Sequence, residues 1–267
     1  MTDSPPATAR GERSEFVQLA LPVLLIGLGI SFVGPYIALF GRREIRMSPL
    51  ELGLFLTLVS SSSILISATL ARFSDRLSNR KWLVIVAMIA TALGYACLSW
   101  LRSYWLLLVS ASLFLGVGAA AFPQLFALAR QQLLGVGAKN PERDLTSLRS
   151  IFSLAWVVGP LIGSLLLERS GFQGLFLGTV VCYLVATVPV LFARTHPPRL
   201  TSSTVTTRTE VQASPRTITV AALCFVLYHM ASSMGASWLP IHVTETLRGS
   251  TADVGFLVGL CACSRFP

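Results

Sequence analysis

The sequence predicts an all-α, multi-spanning membrane protein, and three observations carry that prediction. Only 12% of the 267 residues are charged and 53% are hydrophobic, where an ordinary soluble domain is about a quarter charged. So few charges could not cover a soluble surface. The apolar residues also fall in uninterrupted runs rather than alternations, and several runs approach the ~20 helical residues that cross a bilayer core. In hydrocarbon the backbone must satisfy its own hydrogen bonds, which makes such runs helices.

Taken in order, the runs place spans at 17–40, 49–70, 82–101, 104–129, 146–167, 172–193 and 217–240, with an eighth opening near Ala252. The first run is too long for a cleaved signal peptide, carries Pro22 and Pro35, and is followed by no small-residue cleavage site. Residues 1–15 read as a cytoplasmic tail and 16–193 as a six-helix transmembrane half joined by short loops. Residues 194–216 contain "RTHPPRLTSSTVTTRTEVQASPR", rich in Ser, Thr and Pro, and read as a flexible cytoplasmic linker. Residues 217–267 then read as the start of a second transmembrane half. Six helices, a long loop and further helices is the layout of a transporter built from two halves. The chain is expected to hold one half and the opening of the other, as a truncated or fragmentary product.

The net charge of +9 invites a nucleic-acid reading, which the distribution of charge excludes: Lys and Arg sit in short loops, not along one face. With the N-terminus in the cytoplasm, the inside segments hold thirteen basic residues (Arg10, Arg13, Arg72, Arg76, Arg80, Lys81, Arg130, Lys139, Arg143, Arg194, Arg199, Arg208, Arg216). The outside loops hold six (Arg42, Arg43, Arg46, Arg102, Arg169, Arg248). That bias satisfies the positive-inside rule. A multi-pass protein of the bacterial inner membrane is the expectation.

The densest charge lies in "ARFSDRLSNRK", Ala71 to Lys81, with five charged residues in eleven. Held between two helix ends, Asp75 can meet the N-terminal end of a neighbouring helix while Arg76, Arg80 and Lys81 face cytoplasm and anionic head groups. The stretch resembles the loop signature of the major facilitator superfamily, Gly-x-x-x-Asp-Arg-x-Gly-Arg-Arg/Lys. Asp75, Arg76, Arg80 and Lys81 match, whereas Ala71 and Asn79 replace the usual glycines. The resemblance implies the N-terminal half of a major facilitator fold and makes this loop a conformational latch. Topology-setting charge alone is the alternative; it accounts for the arginines but not for Asp75. A narrower resemblance is carried by "FPQLFALAR", Phe122 to Arg130, and "LRSIFSLAWVVGPLIG", Leu148 to Gly163. These runs are similar to the sugar efflux transporter branch, over roughly residues 16–195. That resemblance implies export of sugars or glycosides, driven by exchange for protons, with no bound cofactor.

Three residues are expected to line the transport path. Arg149 lies inside the fifth span, where a charge is costly unless it faces a cavity or a partner; the alternative is an Arg that snorkels to the head groups. Trp156, seven residues on, shares its face, and a ring beside donors and acceptors suits a sugar. Gln124 puts an amide in span 4, where an unpartnered one would be costly. Gly159, Pro160 and Gly163 predict a kink and a close packing seam in span 5, and resemble the antiporter motif of exporting relatives. Gly116 and Gly118 read as a helix contact in span 4. His229 and the run Ser60 to Ser63 have structural readings at least as good as functional ones.

Other chemistry is excluded on pattern. Five cysteines form no C-x-x-C pair and read as small buried hydrophobes. No G-x-x-x-x-G-K-[ST] loop occurs, and no nucleophile triad or metal-ligand spacing stands out, so the chain reads as a transporter and not an enzyme. Span 1 has no acidic residue, and Ser112 stands where proton-coupled relatives carry an Arg, so the proton carrier is not visible here. The rival readings are an exporter of drugs or amphiphiles on the same scaffold, and an inactive remnant. Transport is expected to need the remaining C-terminal half or a second copy of the chain.

Overall fold

The computed structural model describes residues 7–74, 80–137, 140–193 and 214–263. Among them every regular element is helical, and six helices are long and apolar enough to cross a membrane. The longest, Pro141–Phe192, turns at Gly171 (φ 63°, ψ −169°) and therefore carries two spans, 5 and 6. Only glycine adopts that backbone without strain. The boundaries otherwise follow the hydropathy runs. Span 2 is Pro49–Ser74, span 3 Arg80–Trp100 and span 7 Pro215–Ile241, while Thr251–Cys263 begins span 8. The end bearing residues 41–48 is termed the outer end, following the charge count.

Two prolines coincide with breaks in the spans, while Pro22, Pro160, Pro189 and Pro240 lie within continuous helix. Span 1 runs as Ala7–Val33, tightens into a 3₁₀ turn at Gly34–Tyr36, and continues as Ile37–Arg43. Pro35 removes the N–H that would continue the α ladder. Span 4 is broken twice: Tyr104–Ser110 passes into a π turn at Ala111–Leu115, and a turn at Ala119–Ala120 precedes Ala121–Gly135. Pro123 cannot donate to the carbonyl of Ala119, so the ladder lapses one turn before it.

Spans 2 and 8 open in the same way. Ser48 N–H donates to Glu51 Oε2 at 2.7 Å and Glu51 N–H returns to Ser48 Oγ at 3.3 Å. Ser250 and Asp253 make the equivalent pair at 2.8 and 3.2 Å. Each is a capping box, satisfying helix-end donors reciprocally. Two residues before each serine stands an arginine with positive φ, Arg46 (60°) and Arg248 (55°). The outer turn between spans 1 and 2 is thus repeated between spans 7 and 8, "IRMSPLELG" against "LRGSTADVG".

The core lies among spans 1, 3, 4 and 6, where Val23, Ile26, Met88, Leu125 and Leu128 are buried. A second cluster at the outer end gathers Phe40 and Phe176, edge to face at 4.8 Å, with Tyr36, Met47 and Leu107. Span 7 shows no burial along its apolar window and span 2 only 11%. Those two helices present their length outward.

Candidate functional site

The Gly-Pro-x-x-Gly run in span 5 is clamped between spans 1 and 8. A Cβ on Gly159 would collide with the Ser31 hydroxyl, and one on Gly163 would lie 2.8 Å from the Phe32 carbonyl oxygen. From the other side, a Cβ on Gly255 would lie 2.7 Å from the Pro160 carbonyl, and one on Gly259 2.8 Å from that of Val157. Small residues are what let three backbones meet, the general device of packing in membranes. Ser31 Oγ donates to the Ala155 carbonyl at 3.0 Å. Tyr36, completely buried, points its phenol at the Pro160 carbonyl (3.1 Å) and the Thr251 carbonyl (3.3 Å). Glu168, one turn beyond Ser164, accepts from Thr251 Oγ at 3.0 Å and from the Ala252 N–H at 3.1 Å. A carboxylate at a helix N-terminus also meets the positive end of its dipole. The outer ends of spans 1, 5 and 8 are therefore tied together.

Arg149 and Trp156 fall in the wedge that this seam leaves open. At about 100° per residue, span 5 turns Phe152, Ala155 and Gly159 to span 1, and Val157, Pro160 and Ser164 to span 8. Arg149 and Trp156 lie between those faces, roughly two turns apart. Arg149 is exposed and Trp156 half-buried, and Trp156 approaches Gly34 at the break in span 1. Gln124 differs from expectation. It is 7% exposed and sits about 160° around span 4 from Phe122, among Leu125, Leu128 and Gln132, so it is buried in the bundle rather than aimed at the wedge. Residues 122 and 126 hold the side turned to span 5: Phe122 packs on Phe152 at 4.3 Å and on Phe126 at 4.8 Å.

Of the charged knot, Asp75 and Arg76 lie outside the described residues. Arg80 opens span 3, and Lys81 Nζ donates to the Ala193 carbonyl at the end of span 6, 3.0 Å away. A cation on a helix C-terminus is favourable, so Lys81 ties two helix ends together as well as setting charge. Arg130, ending the "FPQLFALAR" run, pairs with Glu142 at the start of span 5 (3.3 Å); both are exposed, and such pairs contribute little. Ser62 and Ser63 both bond back to the Val59 carbonyl, the structural reading of that run. His229 is exposed and stacks on Phe225 at 4.4 Å. Cys182 is buried, but Cys224, Cys261 and Cys263 are exposed, so the expectation of buried cysteines fails for spans 7 and 8. Among the described residues no group of His, Cys, Asp and Glu could hold a metal ion. A cleft of about 410 Å³ opens at the outer end beside Arg43, Glu44, Arg102 and Thr251, away from Arg149.

The model of the Major Facilitator Superfamily matches residues 19–266. The chain belongs to the major facilitator superfamily. Among its relatives, a Deinococcus radiodurans protein named "Putative sugar efflux transporter" is 43% identical over 254 residues, covering 93% of this chain and 65% of that protein. Sugar efflux transporter A of Dickeya chrysanthemi is 28% identical over 272 residues, covering 100% of this chain and 68% of its own. Sugar efflux transporter C of Escherichia coli is 28% identical over 251 residues, covering 92% and 63%. The chain thus spans about two thirds of the length of these relatives. Proteins named for tetracycline and multidrug resistance match at 23% and 25% identity.

Sequence reasoning missed Tyr36, Glu168 and Ser31. The signal for Tyr36 was present, since "GPY" marks a break whose next residue must turn inward or outward. Glu168 had no local signal, because its partners are 83 and 84 residues away.

Proposed function

We propose that the protein exports sugars or glycosides across the bacterial inner membrane, with its N-terminus in the cytoplasm, by alternating access coupled to proton entry. The observation that carries this reading is the 43% identity to a relative named for sugar efflux, extending over 93% of this chain. The seam supports it. Tight glycine contacts and the two hydrogen bonds to Glu168 join span 5 of one half to span 8 of the other at the outer end, while Arg149 and Trp156 face the open wedge. Rocking of the halves about a midplane site makes and breaks such a seam. Asp75 and Arg76 then act as the latch of the opposite state, and Arg149 and Trp156 meet the substrate. The work is transport and not catalysis.

The test is efflux from cells or proteoliposomes carrying the full-length protein, preloaded with a panel of labelled mono- and disaccharides. Sugar efflux accelerated by an inward proton gradient is expected. Export of lipophilic cations with no effect on any sugar would replace this reading with that of a drug exporter.

A further inference from the structure

A cavity of about 140 Å³ lies inside the six-helix half, beside span 4. Its lining includes Thr91 and Tyr95 of span 3, Gly118, Ala119 and Phe122 of span 4, and Tyr183 of span 6, together with two aliphatic side chains. Resting on the sugar-export reading above, we propose that this cavity is a subsite for one hydroxyl-bearing ring of the exported sugar. Phe122 supplies a stacking face, and the Tyr95 and Tyr183 phenols meet the ring's hydroxyls.

The sequence opens this space deliberately. The π turn at Ala111–Leu115 and the lapse at Ala119–Ala120 bracket it on span 4, and π turns inside α-helices are frequent at functional sites. Gly118 brings span 4 so close that an added Cβ would collide with the Thr91 hydroxyl. Thr91 donates its one hydroxyl proton to the Ala87 carbonyl at 2.8 Å. Spans 3 and 4 therefore seal one wall.

The two phenols are different. Tyr36 and Tyr104 direct their hydroxyls to backbone carbonyls. Tyr95 and Tyr183, with ring centres 6.3 Å apart, make no hydrogen bond to any described residue. A polar tip at membrane depth without a partner is costly, and a hydroxylated ring would supply donors and acceptors to both. Ile30 and Leu115 give the cavity an aliphatic side, and the two phenols and the Phe122 ring make the lining mixed, as the apolar faces and hydroxyls of a sugar ring require. No acid lines it, so a cationic amphiphile gains nothing there.

Size and access agree. At ~30 Å³ per water the cavity holds about four or five waters, near the bulk of one sugar ring and below the ~300 Å³ of a complete ligand site. It is a subsite, not the whole site. Ala119 at its mouth is exposed and Phe122 half-exposed. Phe122 also packs on Phe152 at 4.3 Å, which lies between Arg149 and Trp156 along span 5. The cavity is thus joined by aromatic contact to the wedge where the rest of a substrate would sit.

The experiment is equilibrium binding of radiolabelled glucose, galactose, xylose and sucrose to the full-length protein in nanodiscs. Tyr95→Phe and Tyr183→Phe are compared with wild type and with Tyr104→Phe, and thermal midpoints are measured alongside. Each cavity variant should weaken the best-bound sugar about tenfold, the size of one hydrogen bond, while Tyr104→Phe leaves it unchanged. A deoxy analogue lacking the hydroxyl that one phenol meets should bind wild type and the matching variant equally, a coupling that a structural role would not produce. Ala119→Leu, at the exposed mouth, fills the space without disturbing the core and should abolish binding even if a tyrosine variant fails to fold. Sugar binding by wild type with unchanged affinities in all three cavity variants would overturn the subsite and leave sugar export standing. Export of lipophilic cations with no sugar bound would overturn both.

Discussion

The phenol of Tyr36 donates to the carbonyl of Pro160, 3.1 Å away and 124 residues along the chain. Two prolines make that bond possible. Pro35 breaks span 1 so that Tyr36 turns into span 5, and Pro160 supplies the accepting carbonyl. The same hydroxyl reaches Thr251 at 3.3 Å, beside the Glu168 contacts, so one buried ring of span 1 ties spans 5 and 8 to its own. Interhelical hydrogen bonds in membranes average ~0.6 kcal/mol; this cluster acts as a seal that can open, not as a weld.

Loosening the seal should expose what lies beneath it. Ser164 is 1% exposed, and Gly255 packs against it. In a Cys-free full-length protein, Ser164→Cys should react slowly with an impermeant thiol reagent. Adding Tyr36→Phe and Glu168→Ala should raise that rate several-fold, by favouring the state in which spans 5 and 8 part at the outer end. An unchanged labelling rate would show that the ties do not control opening.

Stability should separate the seam glycines from the rest. Gly163→Ala forces a Cβ to within 2.8 Å of backbone oxygen, and overpacking of this kind costs ~1–3 kcal/mol. Gly53→Ala meets nothing within 4 Å and gains up to ~1 kcal/mol of helix propensity. The thermal midpoint of purified protein should fall for the first and hold or rise for the second. Equal midpoints would remove the packing argument for the Gly-Pro-x-x-Gly run.

Orientation is checked at two described loop positions. Ser103→Cys, between spans 3 and 4, should be labelled from outside intact cells, and Asn140→Cys, before span 5, only after the membrane is opened. The reverse pattern would overturn the orientation and the charge count behind it.

The spans were legible because hydropathy is a one-dimensional signal: a helix in lipid must be apolar along its whole length, whatever it touches. The breaks at Pro35 and Pro123 have a local cause, as proline acts on its own ladder, whereas the helix runs on through Pro160, where the sequence predicts a kink. What a side chain faces depends on helix rotation, and here the reading divided. Arg149 and Trp156 could be paired by spacing within one helix, and both lie at the wedge. Gln124 could not be placed by its own helix alone, and the bundle turned it inward. Glu168 and Tyr95 became legible only when residues far apart in sequence met.

Arg149 carries the sharpest expectation. Exposed on the face of span 5 between the contacts to spans 1 and 8, it has two readings with different chemistry. If it meets substrate hydroxyls, its planar five-donor fork matters, and Lys, a compact point charge, does not reproduce it. If it snorkels to the head groups, Lys serves equally well. In the full-length protein Arg149→Leu should abolish sugar efflux with expression and thermal midpoint kept, and Arg149→Lys should lose about tenfold or more. The measurement is initial efflux rate from preloaded proteoliposomes at matched protein density. Near-normal efflux by Arg149→Lys would move Arg149 from the transport path to the membrane interface, leaving Trp156 and the aromatic contacts of Phe152 to carry the wedge.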